Sequence, residues 1–203
     1  MINTNSLSFL GQFYYGLKDN FKNIYQNSNF YEKKISKTFN NNFHYMPSPH
    51  LLSSIIKYQN KKYRIEDFAV ETIWQNKMDI KDYEKLNSFF WFFSLDLKSS
   101  KETTQSVIKN WIKDNSKYNK SSWKFDMTSK RIIAWLSNHQ LTYEDSTKDY
   151  RSMFDHMIQK QTNHLLNEIK SSNELENKLI GCSAIILTGL AYKNEKNYLE
   201  SGL

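Results

Sequence analysis

Trp123, the basic pair Lys130-Arg131 and Trp135 are the residues of this chain whose types best suit ligand binding. An indole ring stacks on the apolar face of a pyranose, and a guanidinium clamps a carboxylate or sulfate through two parallel N–H donors. Together they would read an acidic sugar. The same residues suit a helix core equally well, with both indoles packed inside and Arg131 as a structural anchor. Asn163-His164 is a second candidate pair, set within a long amphipathic stretch. His164 follows Met157 by seven and precedes Ile169 by five, which places it beside the apolar stripe of that stretch. It is either a core histidine with satisfied nitrogens or, with Asn163, part of a polar pair lining a cleft.

Other chemistries find no residues here. The sequence has no Walker loop, GxGxxG, HExxH, CxxC pair or GxSxG. The five histidines (His44, His50, His139, His156, His164) lack metal-ligand spacing, so neither a metal nor a cofactor is expected. Cys182 is the lone cysteine, so no disulfide can form within the chain.

Helices must position these residues. Residues 5–25 read as an amphipathic helix with Phe9, Phe13, Leu17, Phe21 and Ile24 at helical spacing, and a short helix follows around 29–38. Pro47-Ser-Pro49 marks an irregular connector, and Tyr63 to Phe68 reads as a short extended piece. From Asp79 the pattern is firmly helical: Tyr83, Leu86, Phe90, Phe93 and Leu97 share one face. Ser99 with Glu102 predicts a capping box for a helix whose face is Val107, Ile108, Trp111 and Ile112. Asp126 or Thr128 caps the next, through Ile132, Ile133, Trp135 and Leu136. Ser146 caps a fourth that carries Tyr150, Met153, Phe154, Met157, Ile158, Leu165 and Ile169. Ser171 with Glu174 opens a last one, Leu179 to Tyr192, uncharged over 14 residues. That stretch is too short to span a bilayer and suits a helix buried on all sides.

A chain of 203 residues supports a core of ordinary size, and two prolines with five glycines fit long helices and short loops. The net charge of +7 is uneven: residues 1–62 hold eight Lys and two acids. This basic excess favours an anionic partner, or it is simply a solvated face. No aromatic-basic array of a known nucleic-acid module occurs, so nucleic acid is not expected as a partner. No convincing signal peptide opens the chain.

Several stretches taken together resemble a known family. The run Phe89 to Leu97 (FFWFFSLDL), Trp111-Ile112, Trp123 and Ser129-Lys-Arg-Ile-Ile-Ala-Trp135-Leu136 occur in order. His164-Leu-Leu-Asn-Glu168 and the small-residue stretch Leu179–Tyr192 follow. The set, over roughly residues 60–203, resembles the N-terminal helical region of the heparinase II/III-like polysaccharide lyases. That resemblance implies an all-α fold, an (α/α) toroid-like array of helical hairpins, incomplete at the C-terminus. It implies β-elimination on a uronic acid-containing polysaccharide, in which Asn or His neutralises the C5 carboxylate and Tyr or His removes the C5 proton. Family members place Asn-His after the glycine of the small-residue helix, whereas here Gly181 precedes Cys182-Ser183. The family's tyrosine region and second histidine would fall beyond Leu203, so the resemblance puts the main catalytic residues outside these 203 positions.

The resulting expectations are a basic N-terminal helical segment over 1–62 and a toroid domain over 63–203 that is part of a protein continuing past Leu203. Its last helix would then expose Ile185, Ile186 and Leu190. The expected partner is acidic polysaccharide, with no membrane span. Asn163 and His164 are the catalytic candidates within the chain, and Trp123, Lys130, Arg131 and Trp135 the substrate-binding ones. The alternative is a non-catalytic helical module for polysaccharide or a protein partner. A lyase would sit in a bacterial cell envelope or periplasm, and the alternative fits the cytoplasm.

Overall fold

A computed structural model describes residues 4–37, 43–46, 64–65, 79–172, 174–193 and 198. Among them are eight α-helices and no β-strand. In chain order these are α1 (Thr4–Gln26), α2 (Asn29–Ile35), α3 (Ile80–Ser88), α4 (Lys101–Asp114), α5 (Phe125–Ser137), α6 (His139–Thr142), α7 (Lys148–Glu168) and α8 (Leu175–Ala191). The all-α reading holds. The Pro47–Pro49 connector, most of the Tyr63–Phe68 piece and the side chains of Phe9 and Phe13 lie outside the described residues. So does Leu203, where the expected continuation of a toroid and its main catalytic residues would begin.

The chain is organised around α5 rather than around the uncharged stretch. Every residue from Ile132 to Ser137 is buried, and α5 packs against α3, α6, α7 and α8. Its densest neighbour is α8. That helix buries only one side: Gly181, Ala184, Ile185 and Thr188 face inward, while Leu175, Leu179 and Leu190 are exposed. The expectation of burial on all sides is therefore corrected. Of the three residues expected to be open, Leu190 is exposed, Ile186 is half-buried and Ile185 is buried.

Close approach explains Gly181. A Cβ there would lie 2.3 Å from Cζ of Phe125, the first residue of α5. Gly181→Ala gains helix propensity of up to about 1 kcal/mol but must displace that ring, at a cost of about 1–3 kcal/mol. We expect net destabilisation in the wild-type background and a net gain in a Phe125→Leu background. Urea unfolding of the four proteins of the cycle checks this, and equal effects in both backgrounds would rule the contact out as the cause.

The faces predicted from periodicity for α4 and α7 are the buried ones, whereas Leu17, Phe21 and Ile24 of α1 and Leu97 are exposed. Val107, Ile108, Trp111 and Ile112 of α4 enter the core, as do Phe154, Met157, Ile158 and Leu165 of α7. Phe89 stands edge-on to both Trp111 and Trp135, at 6.0 and 5.1 Å between ring centres. This aromatic cluster interrupts the helix predicted through Leu97. Phe89 takes a left-handed backbone (φ 54°), α3 stops at Ser88, and a 3₁₀ helix follows over Phe90–Ser94. The left-handed conformation costs roughly 1–2 kcal/mol, less than a fully buried Phe contributes.

Two of the four predicted caps are displaced by one residue, and the other two do not form. Ser100, not Ser99, caps α4 by accepting from Thr103 N, because the Ser99 hydroxyl accepts from Ile65 N. Thr147, not Ser146, caps α7, while the Ser146 hydroxyl donates to the Tyr143 carbonyl. Neither Asp126 nor Thr128 caps α5, whose N-cap position is Lys124. Ser171 donates to the Glu168 carbonyl instead of opening α8.

Candidate functional site

A cleft of about 340 Å³ lies where the polar side of α1 meets the Ser116–Lys124 loop and the facing ends of α7 and α8. Asp19, Lys22, Asn23 and Gln26 of α1 form one wall. Tyr118, Lys120, Trp123 and Lys124 come from the loop, Phe125 and Asp126 from the start of α5, and His164 and Glu168 from α7. Of the residues singled out in the sequence, Trp123 and His164 meet here.

A hydrogen-bond chain fixes the wall. Tyr118 Oη donates to Gln26 Oε1 at 2.7 Å, and Gln26 Nε2 donates to Glu168 Oε1 at 2.7 Å. Glu168 is also paired with Lys22, whose ammonium reaches Ser171 Oγ at 3.3 Å. Burial, with a smaller contribution from the Glu168 charge, pushes the Tyr118 phenol up to about 12.

His164 is buried with both ring nitrogens engaged. Nε2 lies 2.9 Å from the Trp123 carbonyl, which can only accept, so Nε2 carries the proton. Nδ1 therefore accepts from Tyr31 Oη at 2.7 Å. Burial lowers the pKa of His164 to about 4, against a smaller opposing pull from Glu168. The ring is neutral at physiological pH and holds the loop at Trp123 against α2. Burial likewise pushes the Tyr31 phenol upward, so it is a donor and not a base.

Asn163 faces elsewhere. Its Nδ2 donates to the carbonyls of Ile35 at 2.9 Å and Lys37 at 2.7 Å, and Oδ1 accepts from Tyr198 Oη at 3.1 Å. It ties down the C-terminal end of α2. Asn163 and His164 thus do not converge on one reacting atom.

The remaining candidates separate. Arg131 is fully buried: Nε donates to Gln161 Oε1 and Nη1 to the Asn87 carbonyl, both at 2.7 Å. Nη1 also donates to the Ser122 carbonyl at 3.1 Å, and the guanidinium carbon lies 3.9 Å from the Trp111 ring centre. Burial lowers its pKa to about 9, which leaves it charged at neutral pH. Trp135 is fully buried and Trp123 nearly so. These three are placed as packing and anchoring residues, because a side chain without open surface cannot stack on a polymer.

Lys130 alone of that set is half-exposed, 3.7 Å from Asp126. It lines a second depression, of about 390 Å³, with Lys81, Glu84, Lys85 and Phe90. Asp126 lines both depressions, and Lys124 of the first bonds Glu84 of the second at 2.6 Å.

Sequence reasoning missed Tyr118, Lys120, Gln26, Lys22 and Glu168. Gln26 and Glu168 lie 142 positions apart, so no local pattern could have paired them. The described residues contain no group of three or more His, Cys, Asp or Glu placed to hold a metal ion, and no helix long and apolar enough to cross a membrane. Comparison with protein-family models, with curated proteins and with solved structures finds no match to this chain.

Proposed function

We propose that this protein is a non-catalytic helical module that binds an acidic polysaccharide along the two adjoining depressions at the start of α5. The carrying observation is their lining: six lysines (Lys22, Lys81, Lys85, Lys120, Lys124, Lys130) against four carboxylates (Asp19, Glu84, Asp126, Glu168). Tyr118 and Phe125 add half-buried rings, and Asn23 and Asn177 add amides suited to sugar hydroxyls. A polymer with spaced carboxylates or sulfates fits such a mixed track better than a small anion does, since each lysine contributes little alone.

Binding without turnover is the reading that the cleft supports. β-Elimination needs a base at C5 and a group that neutralises the carboxylate. His164 has no free nitrogen, the Tyr118 phenol is held at about 12, and Asn163 bonds backbone away from the cleft.

Affinity electrophoresis through polygalacturonate, heparin and neutral dextran tests this reading. Retardation is expected in the two acidic polymers only, weakening with added salt. Lys120→Ser with Lys130→Ser should reduce affinity roughly 5–30-fold, at about 0.5–1 kcal/mol per charge removed. Equal retardation in dextran, or an unchanged double variant, would overturn the proposal. Accumulation of unsaturated uronate would overturn the non-catalytic part of it.

A further inference from the structure

α1 is mounted with its polar side inward. Lys22 and Gln26 bond Glu168, while Leu17, Phe21 and Ile24 on the other side are 41%, 70% and 68% exposed. An amphipathic helix ordinarily buries its apolar stripe against its own core, so the inversion leaves a seam available to another helix. The seam has coiled-coil spacing. Tyr14, Leu17, Phe21 and Ile24 are separated by three, four and three residues, and in sequence Leu10 and Leu7 continue the same spacing. That is the a/d pattern over three heptads, on a helix of 23 residues, about 34 Å long.

We propose that α1 pairs with α1 of a second copy of this chain. The positions flanking the seam hold a single charge, Lys18, so two copies meet without a ladder of like charges despite the net charge of +7. Tyr25 and Phe30, 40% and 69% exposed, extend the surface at the α2 end. With Leu17, Phe21 and Ile24 they leave on the order of 550 Å² of side chain open, most of the ~800 Å² that each partner contributes to a standard interface. Tyr14, 65% exposed, adds to it. Because the polar side of α1 lines the cleft, a dimer holds one cleft on each side of the seam. The pairing does not depend on what those clefts bind.

Light scattering after size exclusion, from about 1 to 100 μM, reads the mass directly. The expected result is twice the 24.3 kDa of one chain at the upper concentrations. Phe21→Glu and Ile24→Glu should each raise the dissociation constant at least ~100-fold, and Lys109→Glu, exposed on α4, should leave it unchanged. Leu17→Cys in a Cys182→Ser background should form a chain-to-chain disulfide under mild oxidation, which keeps the test valid if a charged variant misfolds. A wild-type protein that stays monomeric throughout overturns the proposal, as does a dimer indifferent to both Glu variants. Monomeric protein that sediments with phosphatidylglycerol vesicles through Phe21 and Ile24 also overturns it, since the stripe would then be a lipid contact.

Discussion

Arg131→Ala will lower the stability of the folded chain by about 3–5 kcal/mol, the loss expected when a buried charged network is broken. Its guanidinium joins four parts of the structure: Asn87 at the end of α3, Ser122 in the loop, Thr128 on its own helix and Gln161 of α7. The alanine variant leaves two backbone carbonyls and the Gln161 oxygen buried without a donor, and opens a cavity beside Trp111. Arg131→Lys will recover less than half of the loss, because an ammonium cannot reproduce the planar fork that spans Gln161 and Asn87. Urea unfolding of the three proteins decides the matter. A loss below about 1 kcal/mol for Arg131→Ala would show that the network is dispensable. If polysaccharide binding then fell while stability held, Arg131 would return to the ligand-binding role suggested by its helix-start position beside aromatic residues.

Residue type and local spacing suggest that role, and packing overrides it. The 3.6-residue period is a local property, so the buried faces of α4 and α7 can be read directly from Val107–Ile112 and Phe154–Leu165. Periodicity places Arg131 and Trp135 on one face of α5 but does not reveal that α5 is surrounded on nearly every side. Burial all round turns ligand-binding residue types into core residues and leaves Lys130 alone at the surface. The displaced caps have a similar origin. Ser99-Ser100 and Ser146-Thr147 each offer two adjacent hydroxyls, and distant partners, Ile65 N and the Tyr143 carbonyl, draw off the first of each pair. α1 shows the same limit. Its apolar spacing is visible in the sequence, yet which side packs is decided by Glu168, remote in sequence. The cleft depends on that same contact, which is why its aromatic member Trp123 is legible and its α1 wall is not.

Acid will weaken the fold through His164. Its pKa is about 4 in the folded chain, against about 6.5 for an unperturbed histidine in the unfolded one. Between these values the unfolded chain binds more protons, so stability rises with pH. The contribution is complete above about pH 6.5 and is lost as pH falls through about 4, amounting to roughly 2 kcal/mol by pH 5 and on the order of 3 kcal/mol in full. The geometry gives the same sign. A protonated ring must donate from Nδ1, where it now accepts from Tyr31 Oη at 2.7 Å, so the buried Tyr31 hydroxyl loses the acceptor of its own proton. His139 and His156 are also lowered by burial, so the wild-type pH profile alone cannot isolate His164. His164→Gln does so, since an amide donor in place of Nε2 still reaches the Trp123 carbonyl and does not titrate. Urea midpoints at pH 7.5, 6, 5 and 4.5 should show the variant less stable than wild type at pH 7.5, with the gap closing as the pH drops. Parallel profiles for the two proteins would mean that His164 is not held neutral by the fold. A closing gap would identify the Tyr31–His164–Trp123 contact as one through which acid loosens the cleft wall.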